Sequence, residues 1–284
     1  MGESISVILP VYNQEKNLTR AIALWTESFE KLKRVYEIVV INDGSTDSTH
    51  DVLSMMQTAG NHTYLKVQTQ PARSGYGASL RAGLALSSNE LILATSLDYA
   101  YSPDNLKILL KSLAQKDEYT GKRVSLVSGC RMDQPYLGGR AFRNNLKRYA
   151  TRAMFGYLPE KPVGLCSAYS ASRWWSLRLQ FGLRFHDTFS KYKLFRREIL
   201  DRMVLQSNSE FILAEILAKA TFLGYLMDEV AIAQSSTLMP WSAEPAFDAD
   251  QFSKDRRNVF RKQEFVRKEK PVEMPPEPKA ILAE

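Results

Sequence analysis

Cysteine is scarce in this chain. Cys130 and Cys166 are the only two in 284 residues, too few for a disulfide framework and without the spacing of metal ligands. Reduced thiols in a reducing compartment are the expectation. Long apolar runs are lacking too. The most apolar long stretch, Phe211 to Met227, is interrupted by Glu215 and Lys219, whereas a membrane-crossing helix needs roughly 20 apolar residues. Met1-Gly2-Glu3-Ser4 carries no basic region and enters a short apolar segment, unlike a signal peptide. No internal repeat is evident. The expectation is a cytoplasmic protein without spans, able to sit peripherally at the cytoplasmic membrane face.

What is present suits a folded domain. The chain is 44% hydrophobic and 24% charged, too mixed for a disordered or fibrous protein. Its formal charge of +7 sits in two places. Lys254 to Lys270 holds eight basic and three acidic residues, Arg140 to Arg152 holds five basic residues and no acid, and the rest of the chain is left at −3. A nucleic-acid binder with basic residues spread over its core is therefore not expected.

Short β-branched runs alternate with amphipathic ones. Strands are predicted at Ile5 to Val11, Glu37 to Ile41, Tyr64 to Gln68, Glu90 to Thr95 and Val124 to Ser128. Helices are predicted at Leu18 to Leu32, Asp47 to Met56, Gly77 to Leu86 and Pro103 to Leu113. This alternation implies parallel pairing in an open α/β sheet whose ligands bind beyond the strand carboxyl ends. Later, a helix is expected from Ser209 to Leu223 and a strand from Tyr225 to Ala233, and the chain finishes in a proline-rich tail.

Three predicted strands end in polar clusters: Pro10-Val11-Tyr12-Asn13-Gln14-Glu15, Asn42-Asp43-Gly44-Ser45-Thr46-Asp47 and Ser96-Leu97-Asp98. An aromatic ring can stack on a nucleobase, a short acid can accept from a base or ribose, and a second acid can hold a divalent ion on a diphosphate. Turn chemistry is the competing reading of Asp43-Gly44-Ser45, with Asp47 capping the next helix.

Taken in order, the clusters resemble the family 2 nucleotide-sugar glycosyltransferases, most closely the dolichyl-phosphate mannose or glucose synthase branch and its polyprenyl-phosphate relatives. The matching runs are Pro10 to Gln14, Val40 to Asp47, Arg73 to Gly83, Ser96 to Asp98 and Asp187 to Arg197, and the resemblance covers residues 4 to 233. It implies an α/β GT-A fold, a Rossmann-like mixed sheet flanked by helices. It also implies an inverting glycosyltransferase moving a sugar from a UDP- or GDP-sugar to a polyprenyl-phosphate or glycan acceptor. Residues 1–233 would form that domain, with 157–186 an insertion and 234–284 a basic extension and tail.

Carried over residue by residue, the resemblance places Pro10, Tyr12 and Gln14 around the base, with Asn42 and Asp43 near base and ribose. Arg73, Gly75 and Gly77 form a loop beside the nucleotide, where small residues allow close approach. Asp98 is the metal ligand, for Mg or Mn, and organises the diphosphate. Asp187 is the acceptor-side catalytic residue, the base for a hydroxyl acceptor or an orienting group for a lipid phosphate, with Arg196 and Arg197 available for phosphate.

Departures from the family pattern fall in the same places. Asn42, Gln14 and Ser96 stand where the family has acids, and Lys191 where it has glycine. Magnesium commonly uses one or two carboxylates, so Asp98 with the substrate diphosphate remains a workable site of lower affinity. Lys191 could supply fixed positive charge near the leaving diphosphate. The alternative class is a catalytically silent nucleotide-sugar-binding or scaffold protein. Arg140 to Phe155 reads as a basic amphipathic helix suited to anionic lipid, or else as a solvated helix. Arg173-Trp174-Trp175, followed by Leu177, Leu179, Phe181, Leu183 and Phe185, suits a membrane interface, a greasy acceptor groove, a membrane partner or a homo-oligomer contact.

Overall fold

A computed structural model describes residues 2–58, 63–97, 101–118, 121–131, 177–232 and 248–266. In chain order these form β1 (Ile5–Val11), α1 (Leu18–Leu32), β2 (Tyr36–Asn42), α2 (Thr49–Thr58), β3 (Leu65–Thr69), α3 (Tyr76–Leu86), β4 (Leu91–Ala94), α4 (Asn105–Leu113) and β5 (Val124–Arg131). Then follow β6 (Lys193–Arg196), α5 (Arg197–Leu200), α6 (Ile212–Phe222), β7 (Leu226–Ile232) and α7 (Ala249–Arg261).

β1 is apolar along its length because both of its faces are covered, which is why it reads as a run rather than an alternation. Val7, Leu9 and Val11 pack with α1, α2 and α4, while Ile8 joins a second cluster with α6 and α7. α1 buries Leu18, Ile22, Trp25 and Phe29, spaced three and four apart, and stops at Lys33 in the left-handed region. Trp25 stacks on both Phe29 and Tyr192, and burying a large aromatic of this kind stabilises by about 1.5–3 kcal/mol.

The seven strands lie in the order β3-β2-β1-β4-β6-β5-β7. All pairings are parallel except those of β6, which runs antiparallel to β4 and β5. Parallel pairing thus holds among the strands from which it was inferred, and β6, not among them, makes the sheet mixed, as the resemblance implies. Pairing of β1 with β2 runs to Val11 opposite Asn42, whereas pairing with β4 stops at Ile8 opposite Ala94. The two strands part there. Strand order reverses at the same place, so the crevice opens where an α/β sheet takes its ligand.

The apolar residues read as an interface turn inward instead. Leu177, Phe181, Leu183 and Phe185 belong to the core cluster that holds α6 and α7, and only Leu179 of that set stays exposed. A sheet face needs cover, and this segment helps to provide it. Arg140 to Phe155, Trp174 and Trp175 lie outside the described residues, as does the expected boundary at 233 and 234. α7 contributes Phe252 and Val259 to the core. No described helix is long and apolar enough to cross a membrane.

Candidate functional site

The loops that follow β1 and β2 are laced together. Asn13, at φ 53, donates from its backbone to Ser45 Oγ and accepts from Thr46 N at 2.8 Å. Gln14 N donates to Thr49 Oγ1 at 2.8 Å, and Glu15 N to Asp47 Oδ2 at 3.3 Å. Asp47 also accepts from Thr49 N, so the turn reading of this acid is realised. Burial alone would push the Asp47 carboxyl up, but the hydrogen bonds from Thr49 and Glu15 outweigh it and hold it below the ordinary range.

On this frame Tyr12 carries the guanidinium of Arg73 over its ring, 4.4 Å from the centroid. Pro10 is buried in β1, and the Gln14 side chain is buried beside Asn17, from which it accepts. Asn42 is fully buried and its Oδ1 accepts from Ser45 N. Asn42 Nδ2, Thr95 Oγ1 and Ser96 Oγ, at the ends of β2 and β4, are buried without a hydrogen-bond partner. Other buried side-chain atoms, such as Ser28 Oγ and Ser79 Oγ, share this state, so what sets these three apart is their place at the strand ends, where a ligand or water can complete the set. Asp98, expected as metal ligand and diphosphate organiser, lies outside the described residues.

Asp43 does something the sequence did not indicate. Its Oδ1 accepts from Ser74 N at 2.8 Å and its Oδ2 from Gly75 N at 3.0 Å, so it grips two successive amides of the Arg73 loop. Three other acids act alike. Glu229 holds the amides of His186 and Asp187, Glu215 those of Gln206 and Ser207, and Asp255 those of Asn208 and Ser209. Glu215 is fully buried and paired with Lys219 at 2.6 Å.

The glycines serve a related purpose. A Cβ at Gly75 would stand 2.6 Å from Asn208 O, and one at Gly77 would meet the Ser207 and Ser209 carbonyls at 2.5 and 2.6 Å. Close approach is needed, and within the chain it is to segment 207–209. That segment is fastened from the other side by Asp255 of α7 and by Arg81, which donates to Ser207 O and Asn208 Oδ1.

Across the crevice, where the acceptor is expected, β6 begins at this edge because it runs antiparallel. Ala94, Lys193, Ser128 and Glu229 lie in register across β4, β6, β5 and β7. The loop before β6 brings Asp187, 6% exposed, to this edge, and Lys191 N donates to Tyr101 Oη at 3.0 Å. Lys191 is expected to supply fixed positive charge; its Nζ pairs with Glu210 at 2.7 Å and lies 4.9 Å from the Tyr76 ring centroid. Its charge is already balanced. Arg196 and Arg197 are misplaced by the phosphate reading. The same antiparallel run carries them to the opposite edge, where Arg196 pairs with Glu3 and Arg197 donates to Asn89 O and Ser87 Oγ.

Among the described residues no group of three or more His, Cys, Asp or Glu stands ready for a metal ion. The acids that border the crevice are engaged by amides, so the described residues do not fit a metal centre on their own. Residues missed by sequence reading are His186, Glu210 and Asp255. For Asp255 the only signal was one acid among the basic residues of 254–270.

Comparison with known proteins places these features. Residues 6–171 match the model of "Glycosyl transferase family 2". A dolichyl-phosphate beta-glucosyltransferase of Trichomonas vaginalis is 25% identical over 238 residues, 80% of this chain and 64% of that protein. A second one from the same organism is 31% identical over 129 residues, 44% of this chain and 37% of that protein. The match thus spans less than two thirds of either relative. Among solved structures, glucosyl-3-phosphoglycerate synthase from Mycobacterium tuberculosis in complex with phosphoglyceric acid superposes with a TM-score of 0.55 at 21% identity, covering 91% of this chain and 78% of that one. The same synthase with Mn2+ and UDP-glucose gives 0.54 at 20% identity, covering 91% and 77%. The fold is therefore the GT-A fold.

Proposed function

The chain belongs to glycosyl transferase family 2, and on that premise we propose that it is an inverting glycosyltransferase moving a sugar from a UDP- or GDP-sugar to a phosphate-bearing acceptor, a polyprenyl phosphate. One observation carries this reading: Tyr12 under Arg73, and the partnerless Asn42 Nδ2 and Ser96 Oγ, gather where β1 and β4 part. A nucleobase would lie against Tyr12 and Arg73, with the ribose and diphosphate towards Asn42, Ser96 and Asp98. The loop bearing Arg73 is already held by Asp43, so little ordering remains to oppose binding.

The acceptor oxygen attacks the anomeric carbon from the face opposite the donor phosphate. The bond to the diphosphate oxygen breaks, and the nucleoside diphosphate leaves with that electron pair. A phosphate monoester is already largely ionised near neutral pH, so Asp187 orients the acceptor rather than deprotonating it. A glycan hydroxyl would instead need Asp187 as base. The relatives named above use dolichyl phosphate and phosphoglyceric acid, and both named acceptors bear phosphate. A structure of the synthase holds Mn2+ with UDP-glucose; here Mg or Mn would have Asp98 and the substrate's own oxygens, and would offset diphosphate charge. A lipid acceptor also implies contact with an anionic membrane face, which the basic segments 140–152 and 254–270 suit.

The test is a screen of purified protein with UDP- and GDP-sugars, with and without polyprenyl phosphate, following nucleoside diphosphate release and the anomeric configuration of the product. Acceptor-dependent release with inversion is expected, diminished by chelator. If calorimetry finds no heat with any nucleoside diphosphate, with or without manganese, the chain is a silent relative.

A further inference from the structure

We infer that Glu229 is a positioning residue of the acceptor side, setting His186 and Asp187 at the crevice edge. The inference rests on the transferase reading above. Glu229 Oε1 accepts from Asp187 N, and Oε2 accepts from His186 N and meets His186 Nδ1, each at 2.8 Å. A carboxylate that accepts two amides presents an acceptor to the ring as well, so His186 Nδ1 carries the proton and Nε2 is turned away from Glu229. The ring is 46% exposed and Glu229 only 13%.

Glu229 is itself fixed. Its amide donates to Asp228 Oδ1 at 2.8 Å, and Asp228 Oδ2 accepts from Ser112 Oγ of α4. β7 and α4 thus hold the carboxylate, and the carboxylate holds the loop. At the loop's other end, Lys191 N is tied to Tyr101 Oη, and a turn from Ser190 N to Asp187 O lies between. Asp187 is therefore set from both sides, and on one of them the holding group is a single side chain.

Glu229→Gln keeps the shape but puts an amide N–H2 where one of these donors needs an acceptor. The expected result is a rise in acceptor KM of about tenfold or more, with nucleoside diphosphate affinity by calorimetry unchanged. The amides of His186 and Asp187 should exchange hydrogen at least about tenfold faster, and the His186 Nδ1–H held by the carboxylate should lose its protection in 15N spectra. Glu229→Asp keeps the charge and falls short in reach, so it should give a smaller change of the same kind, and it stands in if the Gln variant does not fold. Equal losses of donor and acceptor binding, or an unchanged acceptor KM, overturn the inference. If the unaltered protein transfers no sugar, the transferase reading fails instead. Unchanged exchange at 186 and 187 in both variants then overturns the clamp independently.

Discussion

The two edges of the sheet use carboxylates differently. At the amino edge Glu37 gathers mainly side chains from separate elements, with one lone amide rather than a successive pair: it accepts from Ser6 Oγ, from the hydroxyl and the amide of Ser88, and pairs with Lys66 at 2.7 Å. Arg196 and Arg197 complete that edge by tying β6 to Glu3, Ser87 and Asn89. At the carboxyl edge Asp43, Glu229, Glu215 and Asp255 each take a pair of successive backbone amides. Binding side chains joins elements. Binding amides shapes a loop while leaving its side chains to point elsewhere, as Arg73 does. The first use suits stability, the second suits a site.

The largest effect is expected at Glu215→Ala, where the contrast breaks because this acid holds two amides and also pairs with a buried cation. It leaves Lys219 charged in a fully buried place and should cost about 3–5 kcal/mol in denaturant unfolding. The amino edge answers with a pH signature. Burial would raise the Glu37 carboxyl, but hydrogen bonds from Lys66, Ser6 and Ser88 outweigh it and lower it to about 2. That group stabilises the fold above its ordinary value of 4.5, and the contribution is lost as pH falls towards about 2. Stability should fall as pH drops through that window, and Glu37→Gln should flatten the curve while leaving turnover per folded molecule intact.

Asp43→Ala should do the reverse: about hundredfold weaker turnover from a loosened Arg73 loop, measured as kcat/KM for the donor, with less effect on unfolding. An equal loss of activity in Glu37→Gln and Asp43→Ala would erase the distinction between the edges. The smallest effect belongs to Arg196→Ala, whose ion pair with a part-exposed Glu3 is worth roughly 0–1 kcal/mol and whose acceptor KM should not move.

Much of the fold was legible because the strands are buried on both faces and their runs are bounded by turns. α1 was read at its true limits from Leu18 to Leu32. The direction of β6 was not legible, since Lys193 to Arg196 looks the same whichever way it enters the sheet, and that direction decided where Arg196 and Arg197 fall. The donor side of the site was legible as three strand ends. What Gly75 and Gly77 accommodate was not, because their neighbour lies some 130 residues away in sequence, at Asn208. Nor was the counter-ion of Lys191 legible, since Glu210 carries no pattern that links it to Lys191.

The carbonyl of Asn208 that faces Gly77 has a consequence for how anions are recognised. It accepts from Gly77 N at 2.7 Å and Ala78 N at 3.2 Å, while Asp43 takes Ser74 N and Gly75 N. The positive end of the α3 dipole is thereby stoppered by the protein itself, unlike glycine-rich turns that cradle phosphate on bare amides. Under the proposed function, charge on a diphosphate would then be met by side chains and dissolved cations. Phosphate mimics that rely on backbone donors would find little hold here, and anion binding should weaken with added salt as guanidinium contacts do.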